Sequence, residues 1–208
     1  MSQYIIVPIE EYLNHKAFLD EGEVIHSSNK NYSDGYNYTK LSRFNGNSLE
    51  SKGVPFVLSI GTKGMPDNFD LDNQQIAIGL ENVSFIHVIA MSFFLGITNE
   101  EIIVQSDNVQ EWLPFTLIHW ANAGLSVSSN GYTAVNDMKK VTYEKVIIGE
   151  DASKRPVGFI HNAIPISAKI SSVDSITFSF NPSVHLFAMT FELFDPREKC
   201  NGAIKYGG

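Results

Sequence analysis

Cysteine and positive charge are both scarce in this chain. Cys200 is the single cysteine among 208 residues, which excludes an intramolecular disulfide framework and any metal site built from several thiolates. Only 15 lysines and arginines stand against 23 acidic residues, the formal net charge is −8, and no more than two basic residues are adjacent. Because affinity for nucleic acid comes largely from neutralising phosphates, we do not expect nucleic acid to be a partner.

Long hydrophobic runs are also missing. The longest apolar stretch, residues 85–97, has 13 residues and contains His87 and Ser92, whereas a membrane-spanning helix needs about 20. The N-terminal residues carry no basic segment of the kind that opens a signal peptide. The sequence therefore predicts no membrane span and a cytoplasmic protein, although secretion by another route stays open.

Apolar and aromatic residues are plentiful, at 43% and 12% of the chain, while charged residues make up only 18%. Disordered chains show the opposite balance, with low hydrophobicity and high charge. We therefore predict one folded domain over residues 1–208. Its core should span about residues 18–194, with a short N-terminal extension and a flexible C-terminal tail.

Strand-like alternation dominates the sequence, and a short helix at 8–14 is the main exception. In 175–180, Ile176, Phe178 and Phe180 alternate with polar residues, and in 185–193, Phe187, Met189 and Phe191 share one side with Leu193. A period of two at these lengths indicates half-buried strands, so we expect these aromatic and Met side chains to point inward. Further strands are predicted at 54–58, 75–78, 85–97, 101–105, 112–118 and 141–148.

Clusters of Gly, Asn, Asp and Ser separate these segments, at 27–35, 44–48, 61–68 and 126–131. Many short strands joined by such turns are typical of an antiparallel sandwich or barrel. The predicted fold class is therefore all-β.

Several segments together resemble one family in their order along the chain. They are 32–38 (YSDGYNY), 53–58 (GVPFVL), 67–76, 106–115, 119–120, 174–178 (DSITF) and, most specifically, 181–188 (NPSVHLFA). The pattern resembles the galactose-binding-like β-sandwich, or jelly roll, found as accessory carbohydrate-binding domains of bacterial glycoside hydrolases, over about residues 18–194. The resemblance implies an antiparallel jelly-roll sandwich and a carbohydrate ligand. The sequence identifies no cofactor with certainty, but the resembling fold often holds a structural calcium ion, which makes calcium a candidate without identified ligands.

Aromatic side chains near turns are the first candidate ligand-binding residues. Trp120 enters a loop of small residues at 121–124, His119 precedes it, and Trp112 follows the turn at Asp107. Flat aromatic faces and a few fixed polar groups are what sugar sites need. The alternatives are that Trp120 fills the end of the core and that Trp112 packs on the sheet surface.

Two polar groups complete the predicted binding site. His161 and Asn162 are expected at the rim of the sandwich, beside Trp120, where a strand is interrupted. Asp34 and Tyr36 belong to the Tyr-rich Asp-Gly loop, where Asp34 could accept hydrogen bonds from a sugar or bind a cation, or simply stabilise its own turn.

Acidic and histidine residues show no recognisable metal or catalytic pattern. The acidic stretch at 67–72 lacks the spacing of an EF-hand, and no histidines are paired at zinc-ligand spacing. His87 and His185 are predicted to be core or edge residues, and Glu192 to lie on the polar side of its strand. No Gly-x-Ser-x-Gly or phosphate-binding loop is present.

A non-catalytic, lectin-like carbohydrate-binding protein is the function we therefore predict, with a carbohydrate or other small molecule as partner. Two alternatives stay open. One is an enzyme for small molecules or glycosides on a jelly-roll scaffold, with catalytic residues that the sequence does not identify. The other is an interaction subunit of a toxin or other assembly, because low charge and many phenylalanines suit a homo-oligomer interface.

Overall fold

The computed structural model describes residues 2–19, 36–37, 47–59, 65–92, 97–107, 109–118, 135–136, 139–140, 142–150, 156–167 and 170–194. These residues are almost entirely β-strand, with one 3-10 turn at Glu10–Tyr12, where a short helix is predicted. The strands in the described ranges are β1 (Gln3–Ile6), β2 (Phe18–Leu19), β3 (Tyr36–Asn37), β4 (Ser48–Ser51), β5 (Val54–Val57), β6 (Phe69–Leu71), β7 (Gln75–Glu81), β8 (Val83–Ser92), β9 (Ile97–Ser106), β10 (Val109–Ile118), β11 (Val135–Asn136), β12 (Lys139–Lys140), β13 (Thr142–Glu150), β14 (Pro156–Pro165), β15 (Ser172–Phe178) and β16 (Asn181–Leu193).

Two antiparallel sheets form the body of the molecule. The six-stranded sheet has the order β1-β16-β8-β14-β13, with β6 pairing to β16, and the four-stranded sheet has the order β10-β9-β15-β7. Strands that follow one another in the chain often lie in different sheets, as β7 and β8 do. The sheets are therefore joined by connections that cross between layers, and the jelly-roll topology implied by the sequence stays a prediction.

Alternate side chains from the two sheets meet in one hydrophobic core. Val88 and Leu186 come from the six-stranded sheet, and Ile102 and Ile176 from the four-stranded sheet, all with almost no exposed surface. Two inner faces that interdigitate in this way are the defining feature of a β-sandwich, so the predicted all-β sandwich is confirmed.

A hairpin covers the outer face of the six-stranded sheet. It consists of β4 and β5, and its two-residue turn, Lys52 and Gly53, has positive φ angles of 53° and 78°, as tight hairpins prefer. Phe56 from this hairpin is buried, and the Thr190 hydroxyl of β16 donates a hydrogen bond to the Pro55 carbonyl (2.7 Å). The structure thus has a third layer on this side.

Most of the predicted inward side chains are buried, and one is not. Phe178, Phe187, Met189 and Phe191 are fully buried, whereas Phe180 is 63% exposed. The prediction for Phe180 is wrong because β15 ends at Phe178, so the alternation does not continue to residue 180.

The side predicted for Phe187 is also wrong. A β-bulge between Leu186 and Ala188 shifts the register of β16 against β8, and an inserted residue interrupts the alternation of faces. Phe187 therefore lies outside the main core and packs against Phe159, with ring centroids 4.7 Å apart.

The sandwich also begins before the predicted start at residue 18. Strand β1 pairs with the end of β16, and Val7 and Ile9 belong to the main core. The predicted N-terminal extension is therefore part of the sheet.

A membrane-crossing helix would have to be long and apolar, and the described part of the chain contains none.

Candidate functional site

The structure covers part of the predicted binding site. Trp120, His119 and Asp34 lie outside the described residues, and Tyr36 is described only as a backbone position in β3, paired with Phe18. The binding roles predicted for these four residues stay predictions.

His161 and Asn162 do not lie at a rim. Strand β14 runs without interruption through both, and they are 4% and 0% exposed, so the predicted strand interruption and rim position are wrong. As neighbours in a strand they point to opposite faces. The Asn162 side chain accepts a hydrogen bond from the backbone N–H of Thr116 in the other sheet (3.2 Å), and its Nδ2 is buried without a partner. The ligand-binding role predicted for this pair stays a prediction.

His161 instead belongs to a chain of four polar side chains, here called the histidine chain. Glu192 Oε2 lies 3.0 Å from His87 Nε2, His87 Nδ1 lies 3.0 Å from His161 Nε2, and His161 Nδ1 lies 2.8 Å from Ser51 Oγ. Ser51 comes from the covering hairpin and the other three from β16, β8 and β14 of the six-stranded sheet. The chain therefore links the hairpin to three neighbouring strands.

One set of protonation states satisfies every link of the histidine chain with both rings neutral. An ionised Glu192 only accepts, so His87 Nε2–H donates to it and His87 Nδ1 accepts from His161 Nε2–H. His161 Nδ1 then accepts from the Ser51 hydroxyl. Each ring thus donates once and accepts once.

Burial keeps both rings neutral. It lowers the pKa of His87, an effect that the hydrogen bond and charge of Glu192 partly oppose. It also lowers the pKa of His161 to about 3, with smaller contributions from His87 and Lys52. Two neighbouring imidazoles cannot both be charged in such a site without a large cost.

The histidine chain has the hydrogen-bond order of an activated serine nucleophile, but it lacks access. A serine that donates to a neutral histidine is the arrangement of nucleophilic catalysis. Ser51 is 6% exposed, however, and the Phe56 ring packs edge-on against His161 with centroids 5.1 Å apart. The hairpin would have to lift before a substrate could reach Ser51 Oγ, so the chain acts here as a buried polar contact.

A second histidine pair joins the N-terminal segment, through a half-buried His15, to the buried His185 of β16. The rings of His15 and His185 have centroids 4.4 Å apart, and His185 Nδ1 lies 2.7 Å from Asn68 Oδ1. Burial lowers the pKa of both histidines, and it is the largest cause in each. Asp67 accepts hydrogen bonds from the Ala17 backbone (2.9 Å) and from Asn68 Nδ2 (2.7 Å). The start of the acidic stretch at 67–72 thus serves internal contacts, and no cluster suited to a metal ion occurs within the described ranges.

The outer face of the four-stranded sheet, here called the open face, carries an exposed aromatic side chain. Trp112 on β10 is 55% exposed. Pairing across the sheet places it in one row with Ile103, Thr177 and Gln75. At about 4.8 Å per strand, this row is roughly 14 Å long. An exposed indole therefore stands at one end of a row that crosses all four strands.

The next row of the open face is polar. It contains Gln110, Gln105 and Ser175, with Ala77 at its end. Gln75 Nε2 donates to Ser175 Oγ (3.0 Å), and Gln105 Nε2 donates to the Asp107 carbonyl (3.0 Å). These bonds hold the Gln105 amide near the indole and the Gln75 amide at the far end of the Trp112 row.

No known protein family matches this chain, and no curated protein shows significant sequence similarity to it. The geometry of its own side chains is therefore the basis for a functional conclusion.

The sequence analysis did not predict that the residues of either site come together. For the open face, the alternation of exposed and buried residues could have predicted it. Gln105 and Ile103 alternate with buried Ile102 and Val104, and the same phase in 112–118 places Trp112 outward. No comparable signal existed for the histidine chain, because its four members are far apart in sequence and meet only through strand pairing. The prediction that His87 and His185 are core or edge histidines agrees with their burial.

Proposed function

We propose that this protein is a non-catalytic carbohydrate-binding protein and that a glycan lies across the open face. The observation that carries the proposal is the 55% exposure of Trp112 at the end of a row of side chains that crosses the sheet. Trp112 shares this row with Thr177 and Gln75, so an exposed aromatic ring and hydrogen-bonding side chains lie on one face.

The chemistry of the face suits a sugar. The flat indole offers an apolar surface for the C–H face of a pyranose ring. Gln75, Gln105 and Thr177 offer donors and acceptors for hydroxyl groups. Sugar sites combine these two elements, and the resemblance to galactose-binding-like domains supports the same class of ligand.

The test is binding of the purified full chain to a glycan array, followed by titration calorimetry with a bound glycan. Trp112→Ala should lower the affinity about tenfold or more, because stacking and buried apolar area on an indole exceed about 1.4 kcal/mol. Phe180→Ala is the matched control, since Phe180 is an equally exposed aromatic beyond the end of β15.

Trp120→Ala is the second arm of the experiment. If Trp120→Ala abolishes glycan binding while Trp112→Ala does not, the ligand lies at the predicted loop site and the open face is wrong. If Trp112→Ala instead converts a dimer to a monomer in light scattering, with no glycan bound, the open face is an interface between copies of the chain.

A further inference from the structure

The charges of the four-stranded sheet have one sign. Its strands β7, β9, β10 and β15 contain no lysine or arginine. Their charged residues are all acidic, namely Glu81, Glu100, Glu101, Glu111 and Asp174. Glu81, Glu101 and Asp174 are exposed, whereas Glu100 is buried and Glu111 is half-buried. The negative charge available to a ligand therefore comes from the exposed carboxylates.

One carboxylate stands next to the exposed indole. Trp112 pairs with Ile103, so Glu101, two residues along β9 on the same face, is its diagonal neighbour. Diagonal neighbours in an antiparallel pair lie about 7–8 Å apart, within reach of long side chains. Glu101 is exposed, so a ligand group over the indole can also contact its carboxylate.

Two more carboxylates mark the other end of the same face. The backbone N–H of Asp107 donates to Asp174 Oδ2, and the Ser172 hydroxyl donates to Asp174 Oδ1 (3.2 Å). Asp107 is six residues from Glu101, roughly 20 Å along β9. Negative charge thus lies on both sides of the Trp112 row and the polar row next to it.

We propose that the open face selects glycans that carry protonated amino groups, such as polymers of glucosamine, over neutral and acidic glycans. An ammonium group above an indole gains a cation–π interaction, and a carboxylate beside it adds an ion pair. Acidic glycans meet like charge from the exposed carboxylates of these strands. The inference rests on the proposed carbohydrate-binding function and adds the class of sugar.

The experiment compares two hexasaccharides that differ only in acetylation, a glucosamine hexamer and its fully N-acetylated form, with a hexuronate as a third probe. Calorimetry is done at a pH where the sugar amines are protonated and circular dichroism shows the chain folded. We expect the glucosamine hexamer to bind about tenfold more tightly than the acetylated hexamer, and added salt to reduce this difference.

Variants separate the charge effect from the stacking effect. Glu101→Gln should weaken the glucosamine hexamer about three- to fivefold and leave the acetylated hexamer unchanged. Glu50→Gln, at an exposed carboxylate of the hairpin, makes the same charge change away from the face and should alter neither. Trp112→Ala should weaken both.

Equal affinity for the two hexamers, tighter hexuronate binding, or the same loss for both hexamers in Glu101→Gln would overturn the selectivity. In each case a Trp112-dependent affinity for neutral glycans would leave the proposed function standing. If no probe binds and the array is also empty, both proposals are wrong.

Discussion

The outer face of the six-stranded sheet carries histidines and is covered by a hairpin, whereas the outer face of the four-stranded sheet carries glutamines and a tryptophan and is open to solvent. On the covered face, the polar groups bond to one another, and their hydrogen bonds replace water. On the open face, local bonds leave an indole and several amides available to a ligand. The comparison shows that polar residues alone do not identify a binding site. The histidine chain is the more conspicuous cluster of polar groups, yet it is the one that a ligand cannot reach.

The largest loss of stability should come from a substitution in the packed rings on the outer side of the six-stranded sheet. Phe187→Ala removes a fully buried ring that contacts Phe159. It should lower the free energy of unfolding by about 3–5 kcal/mol, the usual cost of a large cavity. Urea denaturation measures this, and a loss below about 1 kcal/mol would mean that Phe187 and Phe159 do not form a packed layer.

The second-largest effect should be the loss of folding stability in acid, which arises from the histidines of the covered face. His161 has a pKa of about 3 in the folded protein, against about 6.5 in an unfolded chain. Above pH 6.5 neither state binds the proton, so stability is complete. As the pH falls below 6.5 only the unfolded state gains a proton, and stability falls by about 1.4 kcal/mol per pH unit for each such histidine.

Four histidines contribute to this acid effect in the same direction. His87, His15 and His185 also have lowered pKa values through burial, while Glu192 and Asp70 oppose the shifts in His87 and His15. Denaturation at several pH values between 7 and 5 measures the slope. Resonances of these four histidines, assigned with single His→Gln variants, that titrate near pH 6.5 in the folded protein would contradict the prediction.

Breaking the histidine chain at its centre should have a smaller effect. His161→Ala leaves His87 and Ser51 without their partner, and an orphaned buried polar group costs about 1–3 kcal/mol. Ser51→Ala leaves only His161 Nδ1 without a partner and should cost less, about 1 kcal/mol. If the two variants cost the same in thermal denaturation, the chain is not a connected network.

Substitutions on the open face should have the smallest effect on stability. Trp112→Ala and Phe180→Ser should each change the free energy of unfolding by no more than about 0.5 kcal/mol, as is usual at exposed positions. A loss above about 2 kcal/mol for Trp112→Ala would show that the indole is covered and would remove the basis of the proposed binding face.

The alternation of apolar residues was enough to predict strands and a sandwich. Phe178, Met189 and Phe191 are core residues because a period of two places them on the inner face of a sheet. The same reasoning failed at Phe180, where the strand ends, and at Phe187, where a bulge changes the phase. Strand ends and bulges depend on the partner strand, which local sequence does not specify.

For the candidate sites too, some features could be predicted from the sequence and others could not. The sequence by itself determined that the chain is β-rich, acidic and without a catalytic motif, and it identified Trp112 as a candidate. Only the tertiary structure decided that His161 is buried, that Glu192 and Ser51 lie at the two ends of one hydrogen-bonded chain, and that Trp112 shares a row with Gln75. The physical reason is that the directly bonded residues of the histidine chain are 74 to 110 positions apart in sequence. Such contacts depend on which strands pair, in what register, and which face a hairpin covers.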